Sequence, residues 1–328
     1  MNFNLREFFN ILLHPKFYFP LVLLALLGVL PVLARNPFYE DLIVSSFFYG
    51  TLAAAWNLVG GFAGQISLGH TAFFGIGAYT STLLYLNFSV SPWLGMLAGA
   101  CLSILVAIGV GVPCFRLKSH FFALATIAIG EVLRMVASYW TDLTKGGVGL
   151  LIPFKPGIEN FMFKSKLPYA YIALAMMLLM ILVSYVIRNS RFGFYLISLR
   201  EDQDAAESLG VYPVRVKLLV TMISAALTAI SGFFYAHYIL FLDPPSVFSI
   251  DVSIHFALLS IIGGMGTALG PIAGSFLMTP LDGFLSQLLG GGIRLMIYGF
   301  VLLLVVLVVP QGIVGTVQKW WNRRHQAS

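Results

Sequence analysis

The chain has 328 residues, 59% of them apolar and only 10% charged, with a formal net charge of +6. A soluble domain carries roughly 25% charged and 45–50% apolar residues, so a water-soluble fold of this composition could not cover itself with polar surface. The mean hydropathy of +0.91 agrees, and the basic residues are spread over several loops rather than gathered on one face, which argues against nucleic acid as a partner.

In chain order, residues 1–17 are mixed polar and aromatic and read as a cytoplasmic N-terminal segment without the pattern of a cleavable signal peptide. Apolar runs such as 19–33, 167–187 and 295–309 then approach or exceed the length that crosses ~30 Å of hydrocarbon as helix. Backbone groups in lipid must be paired internally, which leaves helices or a closed barrel. Barrel strands alternate apolar and polar side chains over about ten residues, whereas these runs are apolar all round. The expected fold is therefore an all-α polytopic membrane protein of about ten transmembrane helices. They fall near 18–34, 42–58, 68–87, 92–112, 121–140, 168–187, 218–241, 251–263, 269–289 and 294–310, a single domain over 18–310 followed by a tail at 311–328. The second, third, eighth and ninth spans hold enough glycine to be broken or re-entrant.

Lys and Arg in short loops set orientation. A cytoplasmic N-terminus puts Arg6, Lys16, Arg116, Lys118, Arg188, Arg191, Arg200, Arg215, Lys217, Lys319, Arg323 and Arg324 inside, and both termini with them. The other side receives Arg35, Glu40, Asp41, Asp243 and the loop 141–166, whose four lysines run against the pattern.

Two regions carry chemistry. The first lies at 60–77, where six glycines stand among Gln65, Ser67, His70 and Thr71. Spacing such as Gly60-x-x-x-Gly64 fits close helix packing. A break in a helix fits a substrate path equally, because freed backbone groups at membrane depth must face protein or a cavity. On the second reading Gly64, Gln65, Ser67 and His70 line the pathway or its gate, and a second cluster at 263–270 serves likewise. Glu131 and Arg134, at i and i+3 on one helical face, form either an internal ion pair or a charged element of the conduit.

The second region is a polar island at 188–217 between two hydrophobic blocks. Arg188 and Arg191 close the sixth span with positive charge, which suits a helix C-terminus. Residues 192–199 read as an amphipathic stretch along the interface. Asp202 is a plausible N-cap, Asp204 and Glu207 favour the start of a short helix, Gly210 its C′ position, and Pro213 prevents immediate resumption. The plain alternative is a solvated charged loop.

The run Asp204-Ala205-Ala206-Glu207-Ser208-Leu209-Gly210 resembles the Glu-Ala-Ala-x-x-x-Gly motif in the cytoplasmic coupling loop of ABC importer permeases, with Asp in place of Glu. Trp56 to Tyr79, WNLVGGFAGQISLGHTAFFGIGAY, resembles the signature of branched-chain amino acid ABC permeases of the LivM type, as do Gly130-Glu131 with Arg134, Gly263 to Gly266, and Pro310 to Gly315. The resemblance implies the LivH/LivM permease fold and a coupling loop carried by Arg200, Glu201, Asp204, Ala205, Ala206, Glu207 and Gly210. It implies a sister permease completing the pathway, two ATP-binding subunits carrying ATP and Mg at the cytoplasmic face, and a periplasmic or extracellular substrate-binding protein. The location is then the bacterial inner membrane.

The chain contains no Gly-x-x-x-x-Gly-Lys-Ser/Thr phosphate loop, so ATP is expected on separate subunits and no cofactor on this one. No catalytic constellation stands out, the six histidines lack metal-ligand spacing, and Cys101 and Cys114 indicate no disulfide framework. Two other readings stay open: a same-family permease for urea, amides, sugars or nucleosides, and an ion-coupled secondary carrier working alone.

Overall fold

The computed structural model describes residues 26–34, 36–115, 119–289, 291–309, 312–316 and 319. The N-terminal segment 1–17, Arg35, Arg116, Lys118, Pro310, Gln311, Arg323, Arg324 and most of the tail lie outside the described residues.

Helix α1 (Pro37–Asn57) opens on Asn36, whose side chain accepts from the Phe38 amide at 3.0 Å, with Pro37 in the first turn. It runs directly into a π-helical turn, Leu58–Phe62. Residues 63–69 are not helical, and α2 (His70–Phe88) starts afresh. Then come α3 (Pro92–Cys114), α4 (Ser119–Tyr139) and α5 (Leu167–Asn189). The island forms α6 (Arg191–Glu201) and α7 (Gln203–Ser208). The chain continues through α8 (Pro213–Ile239), α9 (Pro244–Phe248), α10 (Ile250–Gly264), α11 (Gly270–Leu288) and α12 (Gly291–Val308). Two short strands, β1 (Leu150–Leu151) and β2 (Phe241–Leu242), pair antiparallel with Leu150 opposite Leu242.

Among the described residues, six segments are long and apolar enough to span a membrane: Pro37–Phe62, Pro92–Cys114, Phe121–Tyr139, Leu167–Asn189, Pro213–Ile239 and Pro244–Gly264. Helices α2, α11 and α12 coincide with the expected third, ninth and tenth spans, but glycine and polar residues dilute the first two. The eighth span begins earlier than expected from hydropathy, at Pro244. There α9 and α10 join at Ser249, whose hydroxyl caps α10 by accepting from the Asp251 amide at 3.2 Å. The seventh span also begins earlier than expected: helix does not resume over 209–212, and Pro213 then occupies the first turn of α8, where its missing N–H costs nothing.

Helices α1, α2 and α8 form the centre, around Phe47, Phe48, Phe74, Phe233, Phe234 and Phe256. Helices α2 and α8 approach so closely that a Cβ on Gly77 would overlap the Ala229 backbone, and one on Gly232 the Phe74 carbonyl. Buried serines tie helices together. Ser260 donates to the Ala53 carbonyl at 2.7 Å and Ser275 to the Ser46 carbonyl at 2.7 Å. Lipid tails are as apolar as leucine, so this close approach and these bonds, not hydrophobic burial, hold such helices together.

The loops segregate to two ends of the bundle. At one end, Ser91 donates to the Glu159 carbonyl at 3.0 Å, Trp93 to the Ile158 carbonyl at 2.9 Å, and Asp41 binds both Lys166 and Tyr238. At the other end, α6 and α7 pack on the π turn. Among the described residues, Asp41, the turn at Ser91 and the loop 141–166 with strand β2 thus lie at one end, and the island lies at the other.

Candidate functional site: the island and the glycine turns

Sequence dictates the island's geometry locally. Ser190 caps α6, its hydroxyl accepting from the Gly193 amide at 3.2 Å. Gly193, Leu196 and Leu199 face inward at helical spacing, and Phe194 and Tyr195 face out. Asp202 caps α7 as expected, accepting from the Ala205 amide at 3.0 Å. The end of α7 is a Schellman arrangement: the Val211 amide donates to the Ala206 carbonyl at 3.1 Å and the Gly210 amide to the Glu207 carbonyl at 2.9 Å. Gly210 at φ +87° supplies the left-handed residue this requires.

The motif's two alanines part company. Ala206 is buried, whereas Asp204, Ala205, Glu207 and Gly210 are exposed. Leu209 is 87% exposed, a bare apolar side chain at the tip of the island. With Leu196 and Leu199, Ala206 belongs to an apolar cluster that includes Leu58, Val59 and Phe62 of the π turn and Ala63 just after it. Lys217, buried near the start of α8, donates to Gln203 Oε1 at 2.7 Å and pins α7 from behind.

The glycine segments form two turns at this same end. Gly64 has φ +67°, so residues 60–64 are not one helical face and the small-xxx-small packing reading does not hold for them. The turn is braced at several points. Trp56 Nε1 donates to the Ser67 carbonyl at 2.6 Å, and the Leu68 amide donates to Thr126 Oγ1 at 3.2 Å. Gln65 is nearly buried, and its Oε1 has no hydrogen-bond partner. His70 is fully buried, with Nδ1 2.9 Å from Ser67 Oγ and Nε2 2.9 Å from Ser224 Oγ, which in turn donates to the Ala55 carbonyl at 2.6 Å. His70 therefore joins α1, α2 and α8 through two hydroxyls.

Asn57 links the two glycine turns, Oδ1 accepting from the Gly266 amide and Nδ2 donating to the Thr267 carbonyl, both at 2.9 Å. Sequence reasoning missed Asn57, Gln203, Ser224 and Leu209. The available signal was a lone amide inside an apolar span, next to paired glycines. Glu131 and Arg134 do pair, with Arg134 Nε 2.9 Å from Glu131 Oε2. They are half-exposed in a groove shared with Pro245, Ser249 and Ile250.

A polytopic helical membrane protein with broken helices and a short amphipathic island at one end has the architecture of a transporter subunit. Residues 38–308 match the family described as the branched-chain amino acid transport system permease component, and the chain belongs to that family. It is 28% identical over 299 residues to the high-affinity branched-chain amino acid transport system permease protein LivM of Salmonella typhimurium, covering 80% of this chain and 70% of the relative. With LivM of Escherichia coli it shares 28% over 261 residues, 73% of this chain and 61% of the relative. With LivH of Salmonella typhimurium it shares 26% over 285 residues, 81% and 91% respectively. No solved structure matches the chain.

Proposed function

We propose that this chain is the permease subunit of an ATP-binding-cassette importer for branched-chain amino acids. It would form the translocation path with a sister permease and take its power stroke from separate ATPase subunits carrying ATP and Mg. The supporting observation is the exposed tip of the island, Asp204, Ala205, Glu207, Leu209 and Gly210, set on a helix whose other face is packed against the broken helix α1, in a chain of this family. An exposed apolar residue rimmed by carboxylates and small residues suits insertion into a partner's cleft. The island end then faces the cytoplasm, together with both termini, in a bacterial inner membrane. The opposite end, with Asp41, Lys166 and the loop 141–166, receives an external binding protein.

In this reading the Gly64–His70 segment is the inner gate, with Gln65, Ser67 and His70 setting its position. Glu131 and Arg134 line the outer half of the path, and neither binds a metal. Closure of the ATPases moves α6 and α7, and the glycine turns move with them. Because the path runs between two permeases, one chain need not hold a complete binding site.

The test is labelled leucine uptake into proteoliposomes holding this chain with and without its sister permease, ATPases and binding protein, with and without internal ATP. Uptake that requires both partners and ATP supports the proposal. Uptake by this chain alone on an ion gradient would replace it with a secondary carrier. ATP-driven activity without leucine uptake would move the substrate to another small solute.

A further inference from the structure

Arg200 belongs to the coupling-loop motif, yet its side chain turns away from the exposed tip of the island. Its Nε and Nη2 are held by Glu201 Oε1, at 3.1 and 2.6 Å, which leaves Nη1 aimed inward. That nitrogen donates to the Gly61 carbonyl in the π turn at 3.2 Å. Two left-handed glycines make room for the side chain. A Cβ on Gly64 would lie 2.6 Å from Arg200 Cγ, and a Cβ on Gly266, at φ +78°, would lie 2.6 Å from Arg200 Nη1. The stem of Arg200 thus rests on one glycine turn and its head reaches the other, at the place where Asn57 already joins them.

We infer that Arg200 is the positioning residue that transmits displacement of the island into both glycine turns at once, so that α1–α2 and α10–α11 move as one gate. Arg200 lies in the last turn of α6, two residues before the Asp202 cap that starts α7. Force applied to the tip of α7 reaches it through a rigid, capped joint. The guanidinium fork is suited to this, since a planar cation with several donors holds a carboxylate and a carbonyl together, which an ammonium on a flexible stem does poorly. The inference rests on the importer reading for its direction of force, but the clamp itself is a property of this chain.

The experiment has two arms. In the complete reconstituted importer, ATP hydrolysis and leucine uptake are measured together for Arg200→Ala and Arg200→Lys, with exposed Arg188→Ala as the charge control. The clamp predicts near-normal hydrolysis in Arg200→Ala with uptake per ATP lower by about tenfold, the scale of one hydrogen bond from a charged donor. Arg200→Lys should fall between, and Arg188→Ala should match the parent. Hydrolysis and uptake falling in proportion would make Arg200 an ATPase contact, and no change in the ratio would overturn the inference.

The second arm is hydrogen exchange on the purified full chain. Arg200→Ala should speed exchange at 60–68 and 263–269 while leaving 203–211 protected. Unchanged exchange at both turns would remove the clamp whatever transport shows. If the parent complex shows no ATP-dependent uptake, the importer reading fails, and this second arm still decides the clamp.

Discussion

The two ends of the bundle are held together by different mixtures of contacts. At the island end, side chains close onto main chain at glycine turns. Gly61, Gly64 and Gly266 leave no room for a side chain, and Asn57, Trp56 and Arg200 bond to main-chain groups. At the opposite end, bonds onto main chain from Ser91 and Trp93 stand beside side-chain pairs: Asp41 with Lys166 and Tyr238, and stacked rings such as Phe234 on Tyr238. A bond onto main chain passes on displacement, because its backbone partner cannot rotate away. Half-exposed ion pairs with flexible stems absorb it. On the importer reading, the island end is the moving part and the opposite end the anchor.

Substitutions test that division. The largest effect is expected for Trp56→Ala, which empties a fully buried site beneath the π turn and removes the bond to Ser67. A loss of about 3–5 kcal/mol, with transport abolished, should appear in thermal unfolding of the purified chain. Asn57→Ala should come next. It leaves the Gly266 amide and the Thr267 carbonyl without their partner and should cost about 1–3 kcal/mol, with uptake falling more steeply than stability. Equal loss in both would mean the junction is only structural. Asp202→Ala removes the cap of α7 and should cost about 1 kcal/mol, seen as faster exchange confined to 203–211. The smallest effect belongs to the far end. Lys166→Ala breaks a pair whose members are 35% and 48% exposed, so the change in thermal unfolding should stay under about 1 kcal/mol and shrink with added salt. A loss of stability there as large as that of Asn57→Ala would erase the contrast between the two ends.

Hydropathy made most of the fold legible, because length and apolarity are what a bilayer selects. It could not rank the helices. Helices α1 and α4 both qualify as spans, yet 78% of the most apolar stretch is buried in the first and 22% in the second. Lipid and protein are equally apolar neighbours, so only small residues such as Gly77 and Gly232 marked the centre. The island was read nearly residue by residue, since caps and Schellman ends are local. The clamp was not legible: Arg200 meets Gly61 across 139 positions of sequence and Asn57 meets Gly266 across 209. Nor did the sequence mark His70 as a joint between hydroxyls, because Ser224 stands 154 residues away.

Affinity purification of the assembled complex reads directly which face of the island meets the ATPases. The chain carrying both Asp204→Arg and Leu209→Asp should fold, keep its sister permease, and lose the ATPase subunits. The chain carrying Arg200→Ala should retain them. ATPases held undiminished by the double variant would contradict the assignment of this tip as the coupling surface.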